Sequence, residues 1–129
     1  MVAIFRALTA ITGILMLFNG ANWFLDPEGA AESLAMPLLE GMAASTQIGD
    51  LSAFFWSVAI CVALAQRRGA RQWLVPAALL LGSAAVGRTL ATILGHAPFG
   101  AQFIVPEVLM TAILVGTYRL RMDEDETST

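Results

Sequence analysis

Four runs of apolar residues, 3–25, 47–65, 73–95 and 104–120, dominate this chain. As helices rising about 1.5 Å per residue, each approaches or exceeds the ~30 Å hydrocarbon core of a bilayer. In lipid, backbone N–H and C=O groups must bond within their own segment, so runs of this kind are helices, and four of them make a polytopic bundle. Composition agrees, with 57% of the 129 residues hydrophobic and only 13% charged, too apolar for a soluble domain of this size. The expected fold is all-α, a four-transmembrane-helix bundle filling 1–122 as a single domain, with the acidic residues 123–129 set apart as a disordered tail. The first run reads as a span rather than a cleaved signal peptide. Its apolar stretch is long, its basic start is Arg6 alone, and Asn19-Gly20-Ala21 is a poor cleavage site.

All seven basic residues are arginines. Apart from Arg88 they fall at the start of the first span (Arg6), between the second and third (Arg67, Arg68, Arg71) and at the end of the fourth (Arg119, Arg121), all on one face of the bundle. The positive-inside rule makes that face cytoplasmic, with both termini inside and a bacterial inner membrane as the expected location. The opposite face carries no arginine in 26–46 or 96–103, and the first of these segments holds Asp26, Glu28, Glu32 and Glu40. Asp26-Pro27-Glu28 has the form of a helix start: a capping acceptor, a proline at the first turn and a carboxylate near the positive end of the dipole. Leu34, Leu38 and Met42 continue it at four-residue spacing, with Pro37 bending the helix near its middle. The expectation is a short amphipathic helix lying on the outer surface as a partial lid.

Arg88 stands inside the third run, where an unpaired charge costs about 2.5 to 3.5 kcal/mol on insertion scales, so it requires a partner. Asp50 and Glu107 are the acids at matching depth. Asn19 and Asn22 near the outer end of the first span fall in the same layer, and His96 lies just above it. A polar cluster of Arg88, Asp50, Glu107, Asn19, Asn22 and His96 in the outer half of the bundle is expected. Its helix faces follow from spacing: Asp50, Ser57 and Cys61 share one strip of span two, and Glu107, Thr111 and Tyr118 one of span four. On span three the small residues Ser83, Gly87, Ala91 and Gly95 are expected to face the bundle, so that Gly87→Leu disrupts packing. Trp23, Trp56 and Trp73 read as interfacial anchors or as contacts for partner helices.

Other chemistries lack their residues. A single cysteine, Cys61, and a single histidine, His96, provide no metal signature, no haem or diiron ligand set and no redox pair. There is no phosphate loop, nucleophile elbow or basic surface for nucleic acid, so neither an enzyme nor a cofactor is indicated. Val86-Gly87-Arg88-Thr89-Leu90, Gly95-His96-Ala97-Pro98 and Pro106-Glu107, with Asp26-Pro27-Glu28 and Gly49-Asp50-Leu51 followed by Phe54-Phe55, resemble the pattern of a bacterial family of small four-helix membrane proteins of unknown function, similar to the DoxX-like proteins. The chain departs from that pattern at His96 and at Gln47-Ile48. The resemblance implies the four-helix fold and marks Asp50, Arg88 and Glu107 as matching positions without an assigned role.

The leading expectation is a non-enzymatic membrane protein whose outward-facing pocket binds a small amphipathic or anionic ligand, such as a lipid, quinone or small acid, with Arg88 as the anion contact. Two alternatives are an accessory or assembly subunit that meets partner membrane subunits, and a proton-coupled small transporter acting as a homo-oligomer.

Overall fold

The computed structural model describes residues 1–127, and among them the regular structure is helical throughout, without strands. Helix α1 spans Val2–Leu25, α2 Pro27–Ser33, α3 Gly41–Ala65, α4 Leu74–Ile93, entered through a 3-10 turn at Arg71–Trp73, and α5 Ala101–Thr127. The four long helices are each apolar and long enough to cross a membrane, which makes this a multi-pass membrane protein. Each packs against its neighbour in the chain and α5 closes back on α1, giving an up-down-up-down four-helix bundle.

Close approach between helices rests on glycines at particular contacts. A Cβ on Gly13 of α1 would fall 2.6 Å from Val62 Cγ1 of α3, and one on Gly116 of α5 would fall 2.6 Å from the Phe5 ring of α1. Gly20 lies under the Trp56 ring in the same way. Between α1 and α5 the hydroxyls of Thr9 and Thr117 hydrogen-bond at 2.7 Å, both fully buried, in the manner of polar contacts between membrane helices. Leu74, Ala77, Leu81 and Ala85 form the buried face of α4 and meet Met16, Val58, Val62 and Leu114 in the core.

The arginine segments do gather at one end of the bundle. Arg121, only 9% exposed, donates from Nη1 to the Ala65 carbonyl and from Nη2 to that of Arg67 at 3.0 Å. The Ala65 carbonyl is one that α3 leaves unsatisfied at its C-terminus, where a cation also complements the helix dipole, and the Arg67 carbonyl lies in the connection that follows. Arg71 in turn donates to the Arg121 carbonyl and lies 5.9 Å from the centre of the Tyr118 ring.

Several boundaries differ from expectation. Asp26 caps α2 as foreseen, its Oδ1 accepting from Gly29 N at 3.0 Å, but the helix stops at Ser33 and does not run through Leu38 and Met42. Ala35 adopts a φ of 56°, with Ala35 N–H bonded to the Glu32 carbonyl and Met36 N–H to that of Ala31. This is a left-handed helix stop completed before Pro37, which could not have continued the helical bonding. Gln47 then holds the connection in place, accepting from Leu39 N and donating to the Pro37 carbonyl. With the loop pinned there, α3 begins at Gly41, six residues before the expected start. Helix α5 runs past Leu120 to Thr127, so the backbone of 123–127 is helical where a separate tail was expected; continuing an established helix needs no new nucleus. Residues 128–129 lie outside the described residues.

The small-residue row of α4 also faces the other way. Ser83, Gly87 and Gly95 are exposed, and a Cβ on Gly87 would meet nothing within 4 Å. The bundle instead packs on the strip Leu74, Ala77, Leu81 and Ala85. Gly13→Leu is expected to lower stability by about 1–3 kcal/mol through overpacking against Val62, and Gly87→Leu to change it by less than about 0.5 kcal/mol. Thermal unfolding of the two variants in detergent checks this, and the reverse order would mean that the faces of α1 and α4 are wrongly assigned.

Candidate functional site

Arg88 and Glu107 meet across the α4–α5 interface at the end of the bundle away from the arginine cluster. Arg88 Nε donates to Glu107 Oε1 at 3.0 Å, and the guanidinium carbon lies 4.9 Å from the centre of the Phe103 ring. Phe103 and Glu107 stand one helical turn apart on α5, so a single face of that helix supplies both the counter-charge and the aromatic cover. The partners differ in burial. The Arg88 side chain is 38% exposed and that of Glu107 is 11% exposed. Glu107 Oε2 is buried and has no hydrogen-bond partner among the described residues. A buried polar atom in that state is costly unless something fills the space beside it.

Glu107 is also one of the residues lining a cavity of about 280 Å³, whose wall comes from all four long helices and from Leu34 at the end of the α2 segment. Most of its wall is apolar, including Met16, Leu51, Phe54, Phe55 and Leu81; its polar side chains are Asn19, Arg88, Gln102 and Glu107. A second cavity of about 440 Å³ adjoins it and shares Leu34, Arg88, Gln102 and Phe103, with the turn Ala97–Gly100 along its rim. Arg88 therefore sits between an inner chamber and a vestibule. The vestibule wall is set by the end of α4, where Gly95 at φ 76° and the His96 N–H bond to the Ala91 carbonyl turn the chain.

Of the six expected site residues, Arg88, Glu107 and Asn19 line this chamber. Asn19 spends its amide on the Leu15 carbonyl at 2.8 Å, leaving its side-chain oxygen as an acceptor. Asp50 does not join them. It is exposed and outside the cavity wall, because the buried face of α3 runs through Ser52, Val58, Ala59, Val62 and Ala65, and the strip from Asp50 to Ser57 lies on the other side of the helix. Asn22 is half-buried and outside the cavity; its backbone carbonyl accepts from Asp26 N. His96 is exposed in the turn after α4, where the left-handed Gly95 redirects the chain.

Residues not foreseen as site residues complete the wall. Leu34, Phe54, Phe55, Gln102, Phe103 and Met110 belong to it. Phe103 had a readable signal, the four-residue spacing to Glu107; the others had none beyond being apolar or near a helix end. The lid expectation holds in part. Trp23 is buried, packed against Ala30 and Ala31 of α2, rather than lying at an interface, and it thereby fixes the segment that delivers Leu34 to the cavity. Trp56 stacks on Phe24 with ring centres 5.2 Å apart, and Trp73 is exposed. Among the described residues no cluster of His, Cys, Asp and Glu is arranged to hold a metal ion.

Comparison of the chain with protein-family models, with curated proteins and with solved structures finds no match.

The unequal burial of the pair predicts unequal mutations. Arg88→Ala leaves the buried Glu107 carboxylate without a donor and is expected to cost about 1–3 kcal/mol. Glu107→Gln should cost less, since its amide oxygen still accepts from Nε and the guanidinium is the less buried of the two groups. Chemical or thermal unfolding of both variants tests this; a larger loss for Glu107→Gln would contradict the burial argument.

Proposed function

We propose that this is a non-enzymatic integral membrane protein that binds a small amphipathic molecule in the chamber beside Arg88 and Glu107. The observation that carries the reading is the unpartnered, buried Glu107 Oε2 at the polar end of an otherwise apolar cavity. Sites for amphipathic ligands combine an apolar lining with a few converging polar groups, and about 280 Å³ lies at the small end of their usual range. The arginines gathered at the opposite end favour a cytoplasmic placement of that end, so the vestibule opens outward from a bacterial inner membrane with both termini inside. The resemblance to the DoxX-like proteins is part of this proposal and bears on the four-helix form alone.

One observation favours a second reading, an accessory subunit. Asp50 sits within a membrane-crossing helix, exposed and without a partner among the described residues, beside an exposed row of small residues, Ser45, Gly49, Ala53 and Ser57. Such a row allows a foreign helix to approach closely, and a basic residue on that helix would neutralise Asp50.

Native mass spectrometry after gentle extraction separates the two. The ligand reading predicts a stoichiometric small amphiphile on the wild type that is lost in Ala84→Phe, which fills the chamber and leaves the ion pair intact. A co-purifying protein lost in Asp50→Asn, with nothing small retained, would replace it by the subunit reading.

A further inference from the structure

The Arg88–Glu107 pair offers the chamber a specific combination of hydrogen-bonding groups. Arg88 uses Nε on Glu107 Oε1, and no described residue accepts from its two terminal amino groups. Glu107 Oε2 is buried and lacks a donor. A ligand head that satisfies both must accept from the guanidinium and donate to the carboxylate. Phe103 covers one face of the guanidinium, at 4.9 Å from its carbon to the ring centre, so the head must meet the amino groups from elsewhere.

Charge then selects among heads. Guanidinium and carboxylate sum to zero, and the other polar side chains of the wall, Asn19 and Gln102, are neutral. A carboxylate or phosphate head would accept from Arg88 but bring an uncompensated negative charge beside Glu107, in a chamber whose remaining walls cannot solvate it. An alkylammonium would donate to Oε2 but offer Arg88 no acceptor and be repelled by it. A hydroxyl does both, since its lone pairs accept while its proton is donated.

Building on the ligand-binding reading, we infer that the chamber takes an uncharged amphiphile with a hydroxyl-bearing head, the hydroxyl bridging the Arg88 amino groups and the Glu107 carboxylate, which turns from its covered position to receive it. The tail lies against Leu51, Phe54 and Phe55. Acylglycerols and hydroquinones share this chemistry. The site discriminates against anions, although an arginine lines it.

The test uses ten-carbon probes that differ in the head: monodecanoyl glycerol, decylhydroquinone, decanoate, decyl phosphate and decylammonium. Each is titrated calorimetrically into the full chain in phosphatidylcholine nanodiscs, with empty nanodiscs subtracted. The hydroxyl probes are expected to bind at least about tenfold more tightly than either anion, a difference of one decade in Kd, and the tighter of the two identifies the source of the hydroxyl. In Glu107→Gln the guanidinium loses its counter-charge and the free acceptor becomes an amide, so decanoate should overtake both. If that variant does not fold, the wild-type ranking decides alone. An anion ranked first on the wild type overturns the uncharged-head inference while leaving the binding reading intact. Absence of binding by every probe also overturns it, and the small molecule retained or not in native mass spectrometry then shows whether the binding reading falls too.

Discussion

The interaction on which the rest depends is the 3.0 Å bond between Arg88 and Glu107. A guanidinium inside a membrane-crossing helix is tolerable only with a counter-charge, and the counter-charge here comes from the adjacent helix in the ring. That requirement fixes the mutual rotation of α4 and α5, places Phe103 over the cation, and leaves the remaining carboxylate oxygen buried without a donor. The bond is also incomplete, since a single N–H meets a single oxygen where two parallel bonds are available to such a pair. A pair serving only to lock two helices has no evident reason to leave a buried oxygen unsatisfied.

The two ends of the bundle use arginine in opposite ways. At the arginine-rich end Arg121 is buried and donates to the last carbonyl of α3 and to that of Arg67 just beyond it, so its side chain closes that end on the backbone. At the other end Arg88 is half-exposed, spends one donor, and borders two connected cavities. Between them the interior is packed by aliphatic side chains and close glycine contacts.

The four spans were legible in the sequence because apolar length alone determines them in a bilayer. Arg88 and Glu107 were legible as partners because burial of charge demands one. The rest of the site was harder to read. Asp50 satisfied the same depth argument as Glu107 and still faces outward, since depth says nothing about rotation and the polar strip of α3 is not its packed strip. Gly87 was misplaced for the related reason that small residues mark close helix contact only where a neighbour is present, and here Gly13, Gly20 and Gly116 carry those contacts. The Ala35 stop that shapes the lid carries almost no sequence signal, because alanine rarely adopts a positive φ and does so here under the constraint of Pro37 and Gln47.

The most direct test of the account is a dipolar-recoupling solid-state NMR measurement in lipid bilayers, between 15N-labelled Arg88 side-chain nitrogens and the 13C-labelled carboxyl of Glu107. The account predicts strong coupling from Nε, consistent with an N–O separation of 3.0 Å, and weaker coupling from the two terminal nitrogens. Equal coupling from Nε and a terminal nitrogen would show a closed two-bond pair with no free groups for a ligand, and absence of coupling would remove the pair, and with it the site.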